Sequence, residues 1–278
     1  MSVARAGDSV QLPVPWFWNH QQSCQMLGVE PRALPCDAQF LPDLAAAAQL
    51  IDKSTRAIML ITPNNPTGAV YPPSLITAFY ALCQQYDIWL TLDETYRDFL
   101  PAGQDHAHTL FEDPYWPQTL IGLYSFSKAY CVPGHRIGAV TAGPALVREL
   151  MKALDGLHIC PGRPAQAALA WGIGALRDRR ADNRRIIERR KQAMDQAFKS
   201  LPGWRLASLG AYFAYARHAL TGILSGVVAE RLTAEYGVTY LPGSAFGPGQ
   251  DDYIRSAFAN TEVDGILQIT RRLTQVAA

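Results

Sequence analysis

AIMLITPNNPTG, Ala57–Gly68, is an unbroken apolar run that meets a proline and passes directly into a turn. Five apolar residues in succession, closed by turn formers, make the pattern of a strand buried on both faces of a sheet. Pro63 ends it, because proline has no N–H to give to a ladder. Upstream, Asp43 stands where it can cap a helix running through Leu44, Ala45, Leu50 and Ile51. Downstream, PPSLITAFYALCQQY (Pro72–Tyr86) carries proline in its first turn and apolar residues at helical spacing. The alternation continues with three more strand-like runs, IWLTLD (Ile88–Asp93), TLIGLYSF (Thr119–Phe126) and RIGAVTAG (Arg136–Gly143). It predicts an α/β fold: a mainly parallel sheet flanked by helices, forming a large domain over residues 1–176.

The pattern changes at RDRRADNRRIIERRKQAMDQAF, Arg177–Phe198. Its basic residues are interleaved with Asp178, Asp182 and Glu188, while Ile186, Ile187, Met194 and Phe198 supply a modest apolar face. That arrangement describes a solvated connecting helix better than a nucleic-acid surface. Short strands are expected beyond it at AYFAYA (Ala211–Ala216), GVTYLPG (Gly237–Gly243) and IRSAFA (Ile254–Ala259). Together with the connecting helix they form an expected smaller C-terminal α+β domain, residues 177–278.

A formal net charge of +1 on 278 residues offers no electrostatic reason to bind nucleic acid or an anionic membrane. No apolar run approaches bilayer length, and the opening MSVARAGDSV has no signal-peptide core. The five cysteines, Cys24, Cys36, Cys83, Cys131 and Cys160, contain no C-x-x-C pair and are a poor disulfide framework, which favours a reducing, cytoplasmic setting. No histidine lies four residues from another histidine, and no metal site is expected.

Four short motifs follow one another along the chain: NNPTG (Asn64–Gly68), DETY (Asp93–Tyr96), SFSK with an arginine eight residues on (Ser125–Lys128, Arg136), and IRSAFA with Arg255. Singly, each has an ordinary explanation as a turn, a loop acid, a surface lysine or a cross-strand ion pair. In this order and at these spacings they resemble the class I/II aminotransferases, the pyridoxal-phosphate (PLP) enzymes of the aspartate-aminotransferase fold type. The resemblance runs from about Gly7 to the C-terminus.

The resemblance implies a role for each motif residue. Lys128 would form the Schiff base to the cofactor and shuttle the substrate proton. Asp93 would pair with the pyridine nitrogen, and Tyr96 and Asn65 would hydrogen-bond the phenolic oxygen. Ser125, Ser127 and Arg136 would hold the phosphate, the planar guanidinium suiting a bidentate contact. Arg255, with Asn65, would bind the substrate carboxylate. In LPVPWFWNH (Leu12–His20), Phe17 falls at the position that stacks on the ring, with Trp16 and Trp18 as neighbours one position away, and His20 would support Asp93. Tyr212 and Phe246 are candidates for the substrate pocket, and each could equally be core. His135, where the family is more often apolar, is given no role.

Relatives extend further on the N-terminal side, through a loop and helix N-terminus that cradle the phosphate. Here the match begins at AGDSVQLP, so the expectation is a truncated reading frame or misassigned start, with a shortened protein of weakened cofactor binding as the second reading, and exposed apolar surface in either case. The implied activity is transamination between an α-amino acid and a 2-oxo acid by a homodimer. The same residues would serve a C–S lyase or a decarboxylase on this scaffold, and a non-catalytic remnant is a third possibility.

Overall fold

The structure, a computed structural model, describes residues 2–276. Its larger sheet contains strands β1 (Ser9–Pro13), β2 (Glu30–Leu34), β3 (Thr55–Ile61), β4 (Trp89–Asp93), β5 (Leu120–Ser125) and β6 (Gly138–Thr141) in the order β2-β1-β3-β4-β5-β6. The first five strands of that order pair in parallel and β6 runs antiparallel to β5. Helices α1 (Trp18–Met26), α2 (Leu44–Leu50) and α3 (Pro73–Gln85) connect the early strands, and α4 (Pro144–Leu157) and α5 (Arg163–Ala175) follow the last. Asp43 caps α2, its Oδ1 accepting from the amides of Ala45 and Ala46 at 2.8 and 3.0 Å.

The apolar runs are buried as the pattern requires. Ile58 and Leu60 of β3 and Leu90 and Leu92 of β4 are inaccessible to water and pack with Ile76 and Phe79 of α3. At ~1.5–3 kcal/mol for each fully buried large aliphatic or aromatic side chain, this cluster holds the middle of the sheet together. The fourth expected strand departs from the pattern. RIGAVTAG is strand only over Gly138–Thr141, all four of those residues are exposed, and the pairing is antiparallel.

Helix α6 (Arg177–Lys199) leads to the second sheet, which is antiparallel with order β7-β8-β10-β9: β7 (Arg205–Gly210), β8 (Phe213–Arg217), β9 (Leu241–Pro242) and β10 (Tyr253–Ala257). Helices α7 (Ser225–Tyr236) and α8 (Val263–Leu273) cover it. Ile187, Met194 and Phe198 of α6 share a core with Phe213 and Ala214 of β8, Val228 and Leu232 of α7 and Ile266 of α8. The expected strand GVTYLPG shrinks to Leu241–Pro242, because Val238 and Tyr240 turn into this core instead of joining the ladder.

The two sheets touch where the NNPTG turn meets the β7–β8 turn. Gly68, at φ +77°, lies so close to Gly210 that a Cβ built on either would fall inside the backbone of the other. Glycine is required here by space as well as by its left-handed backbone.

Candidate active site

The order of the larger sheet reverses between β1 and β3, and open α/β sheets bind ligands beyond the carboxyl ends of the strands at such a point. A cavity of about 460 Å³ lies there. Phe17, which follows β1, Asn65, which follows β3, Asp93 and Tyr96 from the end of β4, and Ser125, Ser127 and Lys128 from the end of β5 all line it. Arg136 and Arg255 complete the set.

Asp93 is buried beneath this cavity. Its Oδ1 accepts from the amide of Thr95 at 3.0 Å, and its Oδ2 lies 3.3 Å from His20 Nε2. Burial pushes the carboxyl upward, but the His20 hydrogen bond and charge, with the Thr95 contacts, outweigh it and hold Asp93 below the usual carboxylate range. The chain thus keeps a negative charge at a water-poor position, ready for a protonated partner. Tyr96, also buried, accepts from Asn65 Nδ2 at 3.5 Å, and burial raises its phenol to about 12.

Lys128 stands in a cationic neighbourhood. Burial is the main influence holding its ammonium below the usual lysine range, and the guanidiniums of Arg136 and Arg255 add to it while Asp93 opposes them. A neutral amine, the form that attacks a carbonyl and takes up a proton, is therefore reached at lower pH than for a surface lysine. Arg136 occupies a left-handed backbone position, φ 53°, and its Nη1 donates to Pro133 O at 2.8 Å. The remaining guanidinium donors are free to serve an anion in the cavity. Ser125 Oγ accepts from the Ser127 amide at 3.3 Å.

Arg255 sits among three aromatic rings, its guanidinium carbon 5.4 Å from the Trp18 centroid, 5.0 Å from Phe213 and 5.2 Å from Phe246. Nη1 donates to Asn65 Oδ1 at 2.8 Å. Its Nε is buried and has no partner, a costly arrangement for a charged donor unless a ligand completes it. A carboxylate meeting Nε and Nη2 side by side would supply that partner.

The expected residues Phe17, Asn65, Asp93, Tyr96, Ser125, Ser127, Lys128, Arg136, Tyr212 and Arg255 thus converge on one cavity. His20 lies behind it, edge-on to Phe17 at 5.2 Å between ring centroids. Of the three neighbouring aromatics, Phe17 and Trp18 line the cavity and Trp16 does not. Phe246, a candidate for pocket or core, belongs to the core: it is fully buried behind Trp18 and Arg255, and Phe213 lines the cavity instead. Arg255 lies mid-strand in β10. Thr95 escaped the sequence reading, although an acid with an amide two residues on is the signature of an Asx-type turn.

A larger groove of about 780 Å³ lies elsewhere, between α6 and the 105–111 loop. It does not include Lys128, and Arg180 in its wall pairs with Asp98 at 2.8 Å. Among the described residues no helix is long and apolar enough to cross a membrane, and no cluster of metal-ligating side chains occurs.

The family described as aminotransferase class I and II matches residues 1–273. The aspartate aminotransferase of Pyrococcus horikoshii is 28% identical over 270 residues, covering 94% of this chain and 67% of that protein. The arginine–pyruvate transaminase of Pseudomonas aeruginosa is 29% identical over 256 residues, covering 90% of this chain and 64% of its own. The chain spans about two thirds of the length of the curated relatives it matches. Among solved structures, Thermus thermophilus aspartate aminotransferase superposes with a TM-score of 0.90 at 22% identity, covering 99% of this chain and 75% of that one, a likeness of fold.

Proposed function

This chain belongs to the class I and II aminotransferases, and on that premise we propose that it transfers an amino group between an α-amino acid and a 2-oxo acid using pyridoxal 5′-phosphate. One observation carries the reading: Lys128, Asp93, Arg136 and Arg255 line a single cavity at the switch point of the sheet. The donor set fits the cofactor, offering a carboxylate held ionised, a lysine amine, an uncommitted guanidinium face and two hydroxyls. Asp93 would meet the ring nitrogen, Phe17 a ring face, Tyr96 and Asn65 the phenolic oxygen, and Ser125, Ser127 and Arg136 the phosphate. When bound, the cofactor supplies an aldehyde that exchanges amines and a protonated ring that withdraws electrons from the substrate Cα.

The chain's own residues then have separable tasks. Arg255 takes the substrate carboxylate, its orphan Nε gaining the partner it lacks, and so fixes the Cα beside Lys128. Lys128 Nζ removes the Cα proton and returns one on the next half-reaction, which requires the neutral amine that its surroundings favour. With the cofactor bound, Asp93 would keep its ring nitrogen protonated. The test is amino transfer from an amino-acid donor to pyruvate, with Lys128→Ala as the control. Transfer should fall by about 10²–10⁴-fold in the variant, the usual range for a positioned acid–base group. Equal rates in both proteins would end the proposal.

We further place the division into a cofactor domain, 1–176, and a smaller domain, 177–278, at the start of α6, and read the working protein as a homodimer. The exposed Met151 and Leu157 of α4 and Trp171 and Ile173 of α5 support a pairing face, and a monomer by sedimentation at micromolar concentration would refute it. The five free cysteines keep the cytoplasm as the expected compartment, and a stable disulfide in protein from its native cells would refute that.

A further inference from the structure

A second chamber, about 600 Å³, shares Ser127, Lys128 and Tyr212 with the Lys128 cavity and extends away from it toward α6. Its inner wall is apolar: Phe99 and Ile187 are buried, and Ile186 and Pro133 stand beside them. The polar groups around it are largely committed, the buried Nε of Arg190 excepted. Asn183 Nδ2 donates to Ala129 O at 3.0 Å, and Arg190 is bound to both Ala259 O and Glu262. Arg179 is exposed on α6, where water screens its charge.

The roles proposed for the Lys128 cavity use both of its guanidiniums, Arg136 for a phosphate and Arg255 for the α-carboxylate. A second carboxylate on the substrate would meet only Arg190, whose charge Glu262 already answers, and the screened Arg179. An aromatic or branched aliphatic side chain would meet Tyr212, Phe99, Ile186 and Ile187, each worth a share of the ~25 cal/mol per Å² gained on removing apolar surface from water. A cationic side chain would face Arg179 and Arg190 with Glu262 already paired.

We infer that this second chamber is the side-chain subsite of the reaction, and that it selects large apolar amino acids over small or dicarboxylic ones. The inference rests on the transaminase reading and adds the substrate class to it. It also assigns specificity to residues of α6, a helix that contributes nothing to the lining of the first cavity.

The test compares phenylalanine, leucine, 2-aminobutyrate and aspartate as donors to pyruvate, using the chain loaded with pyridoxal 5′-phosphate. Phenylalanine and leucine should exceed the other two in kcat/KM by at least about tenfold, the scale a few methylenes in an apolar pocket provide. Ile186→Trp fills the chamber from a half-buried position and should lower the phenylalanine-to-aminobutyrate ratio at least tenfold. A general loss of folding would depress both substrates and leave that ratio unmoved. A preference for aspartate, or an unmoved ratio in a variant with wild-type melting behaviour, overturns the inference. Should none of the four donors transfer an amino group, the transaminase reading fails instead. Calorimetric binding of phenylpyruvate against pyruvate then still decides the chamber: tighter phenylpyruvate binding that Ile186→Trp abolishes supports it, and equal binding overturns it.

Discussion

At one end of the Lys128 cavity stands Asp93, the last residue of a strand with neighbours on both sides, its carboxylate gripped by Thr95 and by His20 from the helix after β1. At the other end stands Arg136, on a turn just before the exposed strand β6, its side chain tied to a carbonyl three residues away. Both are charged and both face the same space, but different parts of the fold hold them. Asp93 is fixed by contacts between distant segments and cannot move without disturbing the centre of the sheet. Arg136 is fixed by its own turn and keeps spare donors. The contrast teaches that this chain prepays, in folding, the desolvation of the acid, while the anion end keeps its adaptability for the ligand.

The largest effect should come from breaking the buried end. Asp93→Ala removes the acceptor for Thr95 and the partner of His20, and leaves a protonated ring nitrogen unpaired. Losing one member of a buried charged pair costs about 3–5 kcal/mol, or roughly two to four powers of ten in cofactor affinity. Spectrophotometric titration with pyridoxal 5′-phosphate measures it, and an affinity unchanged within threefold would erase the contrast. Arg136→Lys probes the adaptable end. Replacing a forked guanidinium by a point charge should weaken binding less, by about 1.5–3 kcal/mol, the worth of one lost hydrogen bond to a charged group. A penalty larger than that of Asp93→Ala would invert the comparison.

The smallest effect is a shift in pH dependence. Arg136 disfavours the protonated form of Lys128, so removing that charge in Arg136→Ala raises the Lys128 pKa. The working form is the neutral amine, which is lost as pH falls through that pKa. The acidic limb of kcat against pH should therefore move to higher pH in Arg136→Ala. A limb that stays in place, or moves down, would show that the two groups are not electrostatically coupled.

The same contrast explains what the sequence made legible. Strands buried on both faces, β3 and β4, announce themselves as apolar runs because every position meets the core. The edge strand β2, EPRAL, carries proline and two charges, and β7, RLASLG, has only partial apolar alternation, so neither stands out. That β6 runs antiparallel cannot be read from its residues, since its direction is set by the turn through Pro133–Arg136. The site residues were legible as motifs, most of them at strand ends, whereas Trp18, Phe213 and the α6 chamber depend on which segments the tertiary fold brings together. Phe246 shows the limit from the other side: its composition suits a pocket, and only packing places it behind Arg255.

Gly68 and Gly210 meet across the junction of the two sheets, each filling the volume where a side chain on the other would begin. For the history of such a chain this is a reciprocal veto. Neither position can be altered first, because the partner's backbone blocks every single replacement, and even a simultaneous double change would need the turns to separate. The contact thereby ties a motif beside the cavity to a turn of the smaller sheet in one heritable unit. Any lineage keeping this arrangement inherits both glycines together or abandons both.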